Sequence, residues 1–275
     1  MTFGSAQKYT QRKQSKVSRP IKSFQHKKDL GQHFLQQESI AEDIVELLHN
    51  DSLPVLEIGP GAGILTKYLL EQKTGALFLS EIDDEVILLI RQKFDFPQER
   101  ILRGDFLRYP LDDVFKDQFT VIGNFPYNIS SQIIFRVIEF HSRVPQVVGM
   151  FQKEMAQRLA AQPHSKDFGV ITAWAQLHYD VAYHFEIPPD AFYPPPKVFS
   201  AVVSLNRKAT PPDLDTRQYL KVVKMSFSQR RKKISNCLKG LPGAHEALGE
   251  LELAHLRAED LEVADFVKLT QLIFK

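Results

Sequence analysis

Asn124-Phe-Pro126-Tyr127 is the segment of this chain whose residue types point most specifically to chemistry. An exocyclic amine on a nucleobase is a poor nucleophile because its lone pair is delocalised into the ring. Two acceptors placed on its hydrogens hold the nitrogen and favour a geometry in which the lone pair attacks. The Asn124 side-chain oxygen and the Pro126 carbonyl can be those acceptors, and proline brings no N–H to compete. Tyr127 adds a ring on which a base can stack. The plainer alternative is a proline turn that buries a tyrosine.

A second constellation precedes it. Glu57-Ile-Gly59-Pro-Gly61-Ala-Gly63 follows a short apolar run and opens a helical stretch. Glycines there let the backbone turn sharply and approach a ligand, with a helix N-terminus facing it. A dinucleotide fingerprint, G-x-G-x-x-G, counted from Gly59 would need its last glycine at Ile64, so that reading fails. The E-x-G-x-G-x-G spacing resembles instead the first motif of class I S-adenosylmethionine-dependent methyltransferases. Glu81 lies 22 residues after Gly59 at the end of the next apolar run, where a carboxylate can accept from ribose hydroxyls. Asp105, after Gly104, ends the third run and is placed to accept from an adenine amine. The alternative for each acid is a helix cap or a solvated loop residue.

The elements that must position these residues alternate. Val55–Ile58, Leu77–Ile82, Ile101–Leu102, Thr120–Ile122 and Gln146–Phe151 read as buried parallel strands. Helices fit between them at Ile64–Gln72, Glu85–Phe94 and Ser131–His141, which predicts an α/β sheet with right-handed crossovers. Ser39-Ile-Ala-Glu42 reads as a capping box opening a helix whose apolar face is Ile40, Ile44, Leu47 and Leu48. Val181–Ile187 and Ala201–Leu205 read as two further strands joined by the proline-rich Pro188–Pro196. From about Asn206 the chain reads as helical, with Thr216–Leu238, Ala244–Leu248 and Ala264–Ile273 forming a small second domain.

Of the 275 residues, 43% are hydrophobic and 25% charged, values that suit a globular chain of one large domain with an appendage. No run approaches a membrane span, and Met1–Arg19 lacks the apolar segment of a secretory signal. A cytoplasmic location is expected, although an acid-poor start containing Arg and Ser also fits a mitochondrial transit peptide. Cys237, the sole cysteine, excludes an internal disulfide and any multi-cysteine zinc site, and it reads as a packed small side chain. The nine histidines show no His-x3-His spacing, so no metal is expected. The net charge of +2 conceals an asymmetry. Residues 1–28 and 217–240 each hold eight Lys/Arg and no acid, leaving 19 basic against 33 acidic residues elsewhere. Two positive segments on an acidic body point to a polyanion partner. Residues 1–26 read as a flexible basic arm.

Taken with Gly31-Gln-His-Phe-Leu35, Phe151-Gln-Lys-Glu154, Phe192-Tyr-Pro-Pro-Pro-Lys197-Val-Phe-Ser200 and Phe227-Ser-Gln-Arg-Arg-Lys232, these motifs resemble the ribosomal RNA adenine N6-dimethyltransferases over about residues 27–275. The nearest likeness is to bacterial members that dimethylate two adjacent adenosines near the 3′ end of small-subunit (16S) ribosomal RNA. The resemblance implies a class I, Rossmann-like methyltransferase domain with a seven-stranded sheet at 27–205 and a helical RNA-binding domain at 206–275. It implies S-adenosylmethionine as cofactor, the immature small ribosomal subunit as partner, and action as a monomer. By it, Asn124, Pro126, Tyr127 and Phe192 serve catalysis, and His33, Leu35, Gly59, Glu81, Asp105 and Asn124 hold the cofactor. Many members carry Asn at the His33 position. Phe192 matches an aromatic that faces the target adenine opposite the tyrosine; its alternative is a core residue anchoring the proline-rich loop. Arg230, Arg231, Lys232 and Lys233 are expected on a helix whose curvature lets only some of them reach phosphates.

Two other functions fit parts of the pattern. Members of the same superfamily methylate a large-subunit ribosomal adenosine or DNA adenines, and a ribosome-assembly factor could keep the fold without catalysis. Phe227–Lys232 favours the small-subunit enzyme, and intact Glu57–Gly63 and Asn124–Tyr127 favour catalysis.

Overall fold

The computed structural model describes residues 33–49, 52–73 and 75–275. The basic arm at 1–26, Gly31 and Gln32 lie outside the described residues. Contacts divide the chain into two compact units, one reaching Ala156 and including Ala182–Arg207, the other comprising Gln157–Val181 and Lys208–Lys275.

The first unit is built on a seven-stranded sheet. In chain order the elements are β1 (Phe34–Leu35), α1 (Glu38–Glu46), β2 (Val55–Ile58), α2 (Ile64–Gln72), β3 (Leu77–Glu81), α3 (Asp84–Phe94), β4 (Ile101–Arg103), α4 (Leu111–Val114), β5 (Thr120–Asn124), α5 (Ser130–Glu139) and β6 (Gln146–Gln152). Then follow α6 (Lys153–Leu159), α7 (Val170–His178), β7 (Tyr179–Ile187), β8 (Phe192–Tyr193) and β9 (Ser200–Arg207). The sheet order is β4-β3-β2-β5-β6-β9-β7. Strands β4 through β6 in that order are parallel, and β9 pairs antiparallel with β6, from Gln146↔Asn206 to Gln152↔Ser200. Every residue of β2 is buried, as a strand covered on both faces requires. From β2 the chain adds β3 and β4 on one side, then β5 and β6 on the other. The crevice at that reversal, outside the strand C-termini, is where open α/β sheets bind ligands.

The expected capping box is absent. Helix α1 begins at Glu38, one residue before Ser39, and its N-cap Gln37 makes no side-chain cap bond. Glu38 instead pairs with Lys67 Nζ at 3.1 Å and accepts from Tyr68 Oη at 3.3 Å. A long-range partner fixes this helix start where a local one was expected.

The second unit is helical: α7, α8 (Thr216–Ser226), α9 (Ile234–Cys237), α10 (Ala244–Glu250) and α11 (Val263–Ile273). It takes Gln157–Val181 in addition to the residues after 207, where the sequence suggested a single cut at 205/206. Trp174 stacks on Tyr219 with centroids 6.4 Å apart, and Tyr219 Oη donates to the Ala173 carbonyl at 3.1 Å, tying α7 to α8. The single helix expected at Thr216–Leu238 is broken. Helix α8 ends at Ser226, a 3-10 turn covers Phe227–Gln229, and Lys233 is extended at φ −61°, ψ 147°. Phe227 turns inward toward Phe168 and Phe266, centroids 6.2 and 6.0 Å away. Lys233 pairs with Arg257, and Ile234 N donates to the Leu256 carbonyl at 2.8 Å.

Arg230, Arg231, Lys232 and Lys233 therefore project from a turn, not a helix, and all four are exposed. Arg230 is held within its own unit: its guanidinium donates to the Lys166 and Phe168 carbonyls and lies 3.5 Å from Glu259. Arg230→Gln is expected to lower the unfolding free energy by about 1 kcal/mol, since the bonds are charge-assisted but half exposed. The same change at Arg231, Lys232 or Lys233 should leave stability within about 0.5 kcal/mol. Urea denaturation of the four variants tests this; four equal midpoints would contradict it.

Candidate active site

Strand β5 delivers the Asn124–Tyr127 segment. It runs two residues beyond the expected Ile122, so Asn124 is the last residue of the strand itself. Asn124 Nδ2 donates to the His33 carbonyl at 2.8 Å, which turns Oδ1 the other way. The Pro126 carbonyl accepts from Ile129 N at 3.2 Å in the turn before α5, and retains a second lone pair. The Tyr127 ring stacks on His33 with centroids 5.4 Å apart, and its hydroxyl bonds Ser200 Oγ. Burial pushes that hydroxyl's pKa up, and the Ser200 bond opposes the shift.

A buried ring anchors this segment from below. Phe125 is fully buried and meets Phe151 edge-on at 5.1 Å. A Cβ on Gly149 of β6 would come 2.5 Å from both rings, and one on Gly123 would come 2.8 Å from Phe125. Neither contact is compatible with a side chain, so the two glycines form the socket that seats Phe125. The sequence does carry a signal: Gly149 interrupts an otherwise apolar strand, a common mark of close approach.

The cavity beside this segment holds about 300 Å3 and lies at the C-terminal ends of β2, β3 and β5. Its lining includes His33, Leu35, Gly59, Glu81, Asp105, Asn124, Pro126 and Tyr127, so the strand-end residues singled out by sequence converge on one space. Gly61 has φ +54°, and a Cβ there would come 2.8 Å from the Phe34 ring, so only glycine lets β1 close over this loop. Glu81 Oε1 accepts from Ile82 N and Asp83 N at 2.8 and 2.9 Å. The α3 cap is Asp83, not Glu81. Asp105 Oδ1 accepts from Leu107 N at 3.0 Å, a local turn bond.

Glu57 was not among the expected contacts, yet it lines the cavity at 1% exposure. Its Oε2 accepts from Thr66 Oγ1 at 2.7 Å. Burial pushes its pKa up to about 8, the Thr66 bond opposes this, and the Glu81 charge adds to it.

A short ribbon covers one side. β1 pairs antiparallel with β8, Phe34 opposite Tyr193 and Leu35 opposite Phe192. His33 Nδ1 lies 2.8 Å from the Pro194 carbonyl, which only accepts, so Nδ1 carries a proton. Phe192 is 3% exposed in the hydrophobic core with Leu35 and Ile187, and it does not line the cavity. The ring expected opposite Tyr127 thus serves in this conformation as the anchor of the proline-rich loop. Among the described residues, no group of three or more His, Cys, Asp or Glu is arranged to hold a metal ion.

A sequence profile described as ribosomal RNA adenine dimethylase matches residues 23–275. The chain is 42% identical over 250 residues to the ribosomal RNA small subunit methyltransferase A of Cytophaga hutchinsonii, covering 90% of this chain and 96% of that one. The protein of the same name from Porphyromonas gingivalis is 44% identical over 252 residues, covering 90% and 97%. Among solved structures, a dimethyladenosine transferase from Plasmodium falciparum aligns with TM-score 0.75 and 26% identity, over 86% of this chain and 96% of that one. The 23S rRNA methyltransferase ErmE shares the fold, with TM-score 0.67 and 23% identity over 88% and 100%.

Two outcomes follow from the geometry. Gly149→Ala should displace Phe125 and with it Asn124, costing about 1–3 kcal/mol of stability and about tenfold or more in turnover. Adding Phe125→Leu together with Phe151→Leu, which shortens both rings that the new Cβ meets, should recover part of each. Wild-type turnover in Gly149→Ala, measured by methyl incorporation, would dismiss the socket. The second outcome concerns pH. Between the ordinary carboxylate value of 4.5 and about 8, Glu57 holds a proton in the folded protein that the unfolded chain releases. That contribution to stability declines as pH rises through the window and is gone above it. Glu57→Gln should therefore gain on the wild type from about pH 5 to 8.5 in cofactor-free denaturation; parallel curves would rule the assignment out.

Proposed function

On the premise that the chain belongs to the ribosomal RNA adenine dimethylase family, we propose that it transfers methyl groups from S-adenosylmethionine to adenosine N6 in small-subunit ribosomal RNA. The target is two adjacent adenosines near the 3′ end of 16S RNA, each methylated twice during maturation of the small subunit in the cytoplasm. The observation that carries this reading is the convergence of Asn124, Pro126 and Tyr127 with Glu81 and Asp105 on one cavity.

The cavity suits a cationic nucleoside. Its polar wall carries three acids, Glu57, Glu81 and Asp105, and Ile82, Phe106 and Leu107 add apolar surface. In this reading Gly59 and Gly61 let the backbone approach the cofactor, Glu81 and Asp105 hold its nucleoside part, and His33 and Leu35 cover it. When bound, S-adenosylmethionine supplies a methyl group on a sulfonium, a leaving group that needs no further activation.

The residues of the chain then have to position the nucleophile. Asn124 Oδ1, fixed because Nδ2 is held by the His33 carbonyl, accepts one hydrogen of the target amine. The Pro126 carbonyl accepts the other through its second lone pair. Tyr127, tied to Ser200, offers a fixed ring edge or face to the base. Phosphates are held by the exposed Arg231, Lys232 and Lys233, with Arg230 bracing the turn that presents them.

Asn124→Ala is expected to abolish methyl transfer to unmethylated small-subunit particles while cofactor affinity stays within a few-fold. Glu81→Ala and Asp105→Ala should each weaken cofactor binding by about 1.5–3 kcal/mol with RNA affinity unchanged. Primer extension across the small-subunit 3′ end and calorimetry measure the two effects. Full transfer by Asn124→Ala, or unaltered cofactor binding in both acid variants, would overturn the reading.

A further inference from the structure

Among the described residues, six large apolar side chains are conspicuously exposed, and three of them lie at the end of β8 or in the loop that follows it: Tyr193 at 56%, Val198 at 44% and Phe199 at 45%. The loop joins β8 to β9, entirely within the first unit. Neither ring packs a core, and neither lines the cavity.

Both rings sit one residue from a contact that fixes Tyr127. Phe199 precedes Ser200, whose Oγ bonds the Tyr127 hydroxyl. Tyr193 precedes Pro194, whose carbonyl holds the His33 ring stacked on Tyr127. The loop is pinned on both sides, by pairing of Tyr193 with Phe34 and by Lys153 N donating to the Phe199 carbonyl at 2.9 Å. Two lysines flank the loop. Lys153 Nζ lies 5.9 Å from the Phe199 ring centroid, beside its ion pair with Glu186, and Lys197 is exposed between the two rings in sequence.

We infer that Tyr193 and Phe199 form a stacking surface at the mouth of the site for the nucleotide next to the target adenosine. This rests on the function proposed above and adds a second base-binding position to it. A nucleotide drawn out of a strand leaves a neighbour with one open π-face, and exposed aromatics next to lysines satisfy a base and its phosphate together. A substrate with two adjacent targets presents such a neighbour each time one of them is methylated. While one adenosine occupies the cavity, the other waits within one nucleotide of it.

The test uses the full-length protein and a single-stranded adenosine-rich RNA carrying one 2-aminopurine, whose fluorescence is quenched on stacking. Wild-type protein should quench it. Tyr193→Ala with Phe199→Ala should weaken binding about tenfold and remove most of the quenching, whereas Tyr193→Phe with Phe199→Trp should restore both. With unmethylated small-subunit particles, the alanine pair should raise KM about tenfold with kcat within twofold and cofactor affinity unchanged. Wild-type quenching and KM in the alanine pair would overturn the proposal and leave the patch to a protein partner. An aromatic pair as weak as the alanine pair would overturn it too. A wild-type protein that quenches the probe but methylates no particle would refute the functional reading and leave the stacking surface standing.

Discussion

The Phe125 ring, held in the space that Gly123 and Gly149 leave empty, is the contact on which the proposed chemistry depends. Aligning an acceptor with an amine hydrogen requires positional accuracy well under an ångström, and a loop at a strand end does not have it unaided. Burying the residue between Asn124 and Pro126 gives the segment a fixed point in the densest part of the sheet. Phe125 N also donates to the Met150 carbonyl at 3.2 Å, so backbone and side chain secure the same residue. Asn124 is then oriented from above by the His33 carbonyl, and Tyr127 by Ser200. The acceptors stand between a rigid floor and a ribbon that joins distant parts of the chain.

The acid wall of the cavity sets a second constraint. Glu57 is buried, Glu81 lies close enough to raise its pKa, and Thr66 gives it one neutral donor. Two carboxylates that would repel when both are charged are accommodated because one stays largely protonated at neutral pH. A cation in the cavity would lower that pKa by stabilising the ionised form. The arrangement favours a positively charged occupant over a neutral one of the same shape.

Much of this was legible in the sequence, for identifiable reasons. A strand buried on both faces leaves an uninterrupted apolar run, and Val55–Ile58 has the same bounds in sequence and structure. The helix Ile64–Gln72 also agrees, because a glycine marks its start. The acids and Asn124 could be placed because strand C-termini converge in this architecture whatever lies between them. What escaped reading is tertiary. Nothing local in Thr216–Leu238 breaks a helix; the packing of Phe227 against Phe168 and Phe266, the anchoring of Arg230 and the extended Lys233 do so. Ser39 and Glu42 have the spacing of a cap, but Glu38 finds Lys67 and the helix starts there. Phe192 carries two sequence readings, and its burial with Leu35 favours the core one over the expected place opposite Tyr127. The association of Gln157–Val181 with the helical unit leaves no trace in composition, since α7 meets α8 across a long stretch of chain.

β9, the last strand in the chain, lies inside the sheet between β6 and β7. Until Ser200–Arg207 has been synthesised, β6 exposes one edge along Val147, Val148, Met150 and Phe151, and β7 has no strand to join. Roughly fifty residues separate the end of β6 from the start of β9, so at ~5–20 residues per second the nascent chain carries an unpaired apolar edge for some seconds. Such an edge is a template for pairing with another chain. The longer β9 takes to join, the longer β6 keeps that edge unpaired.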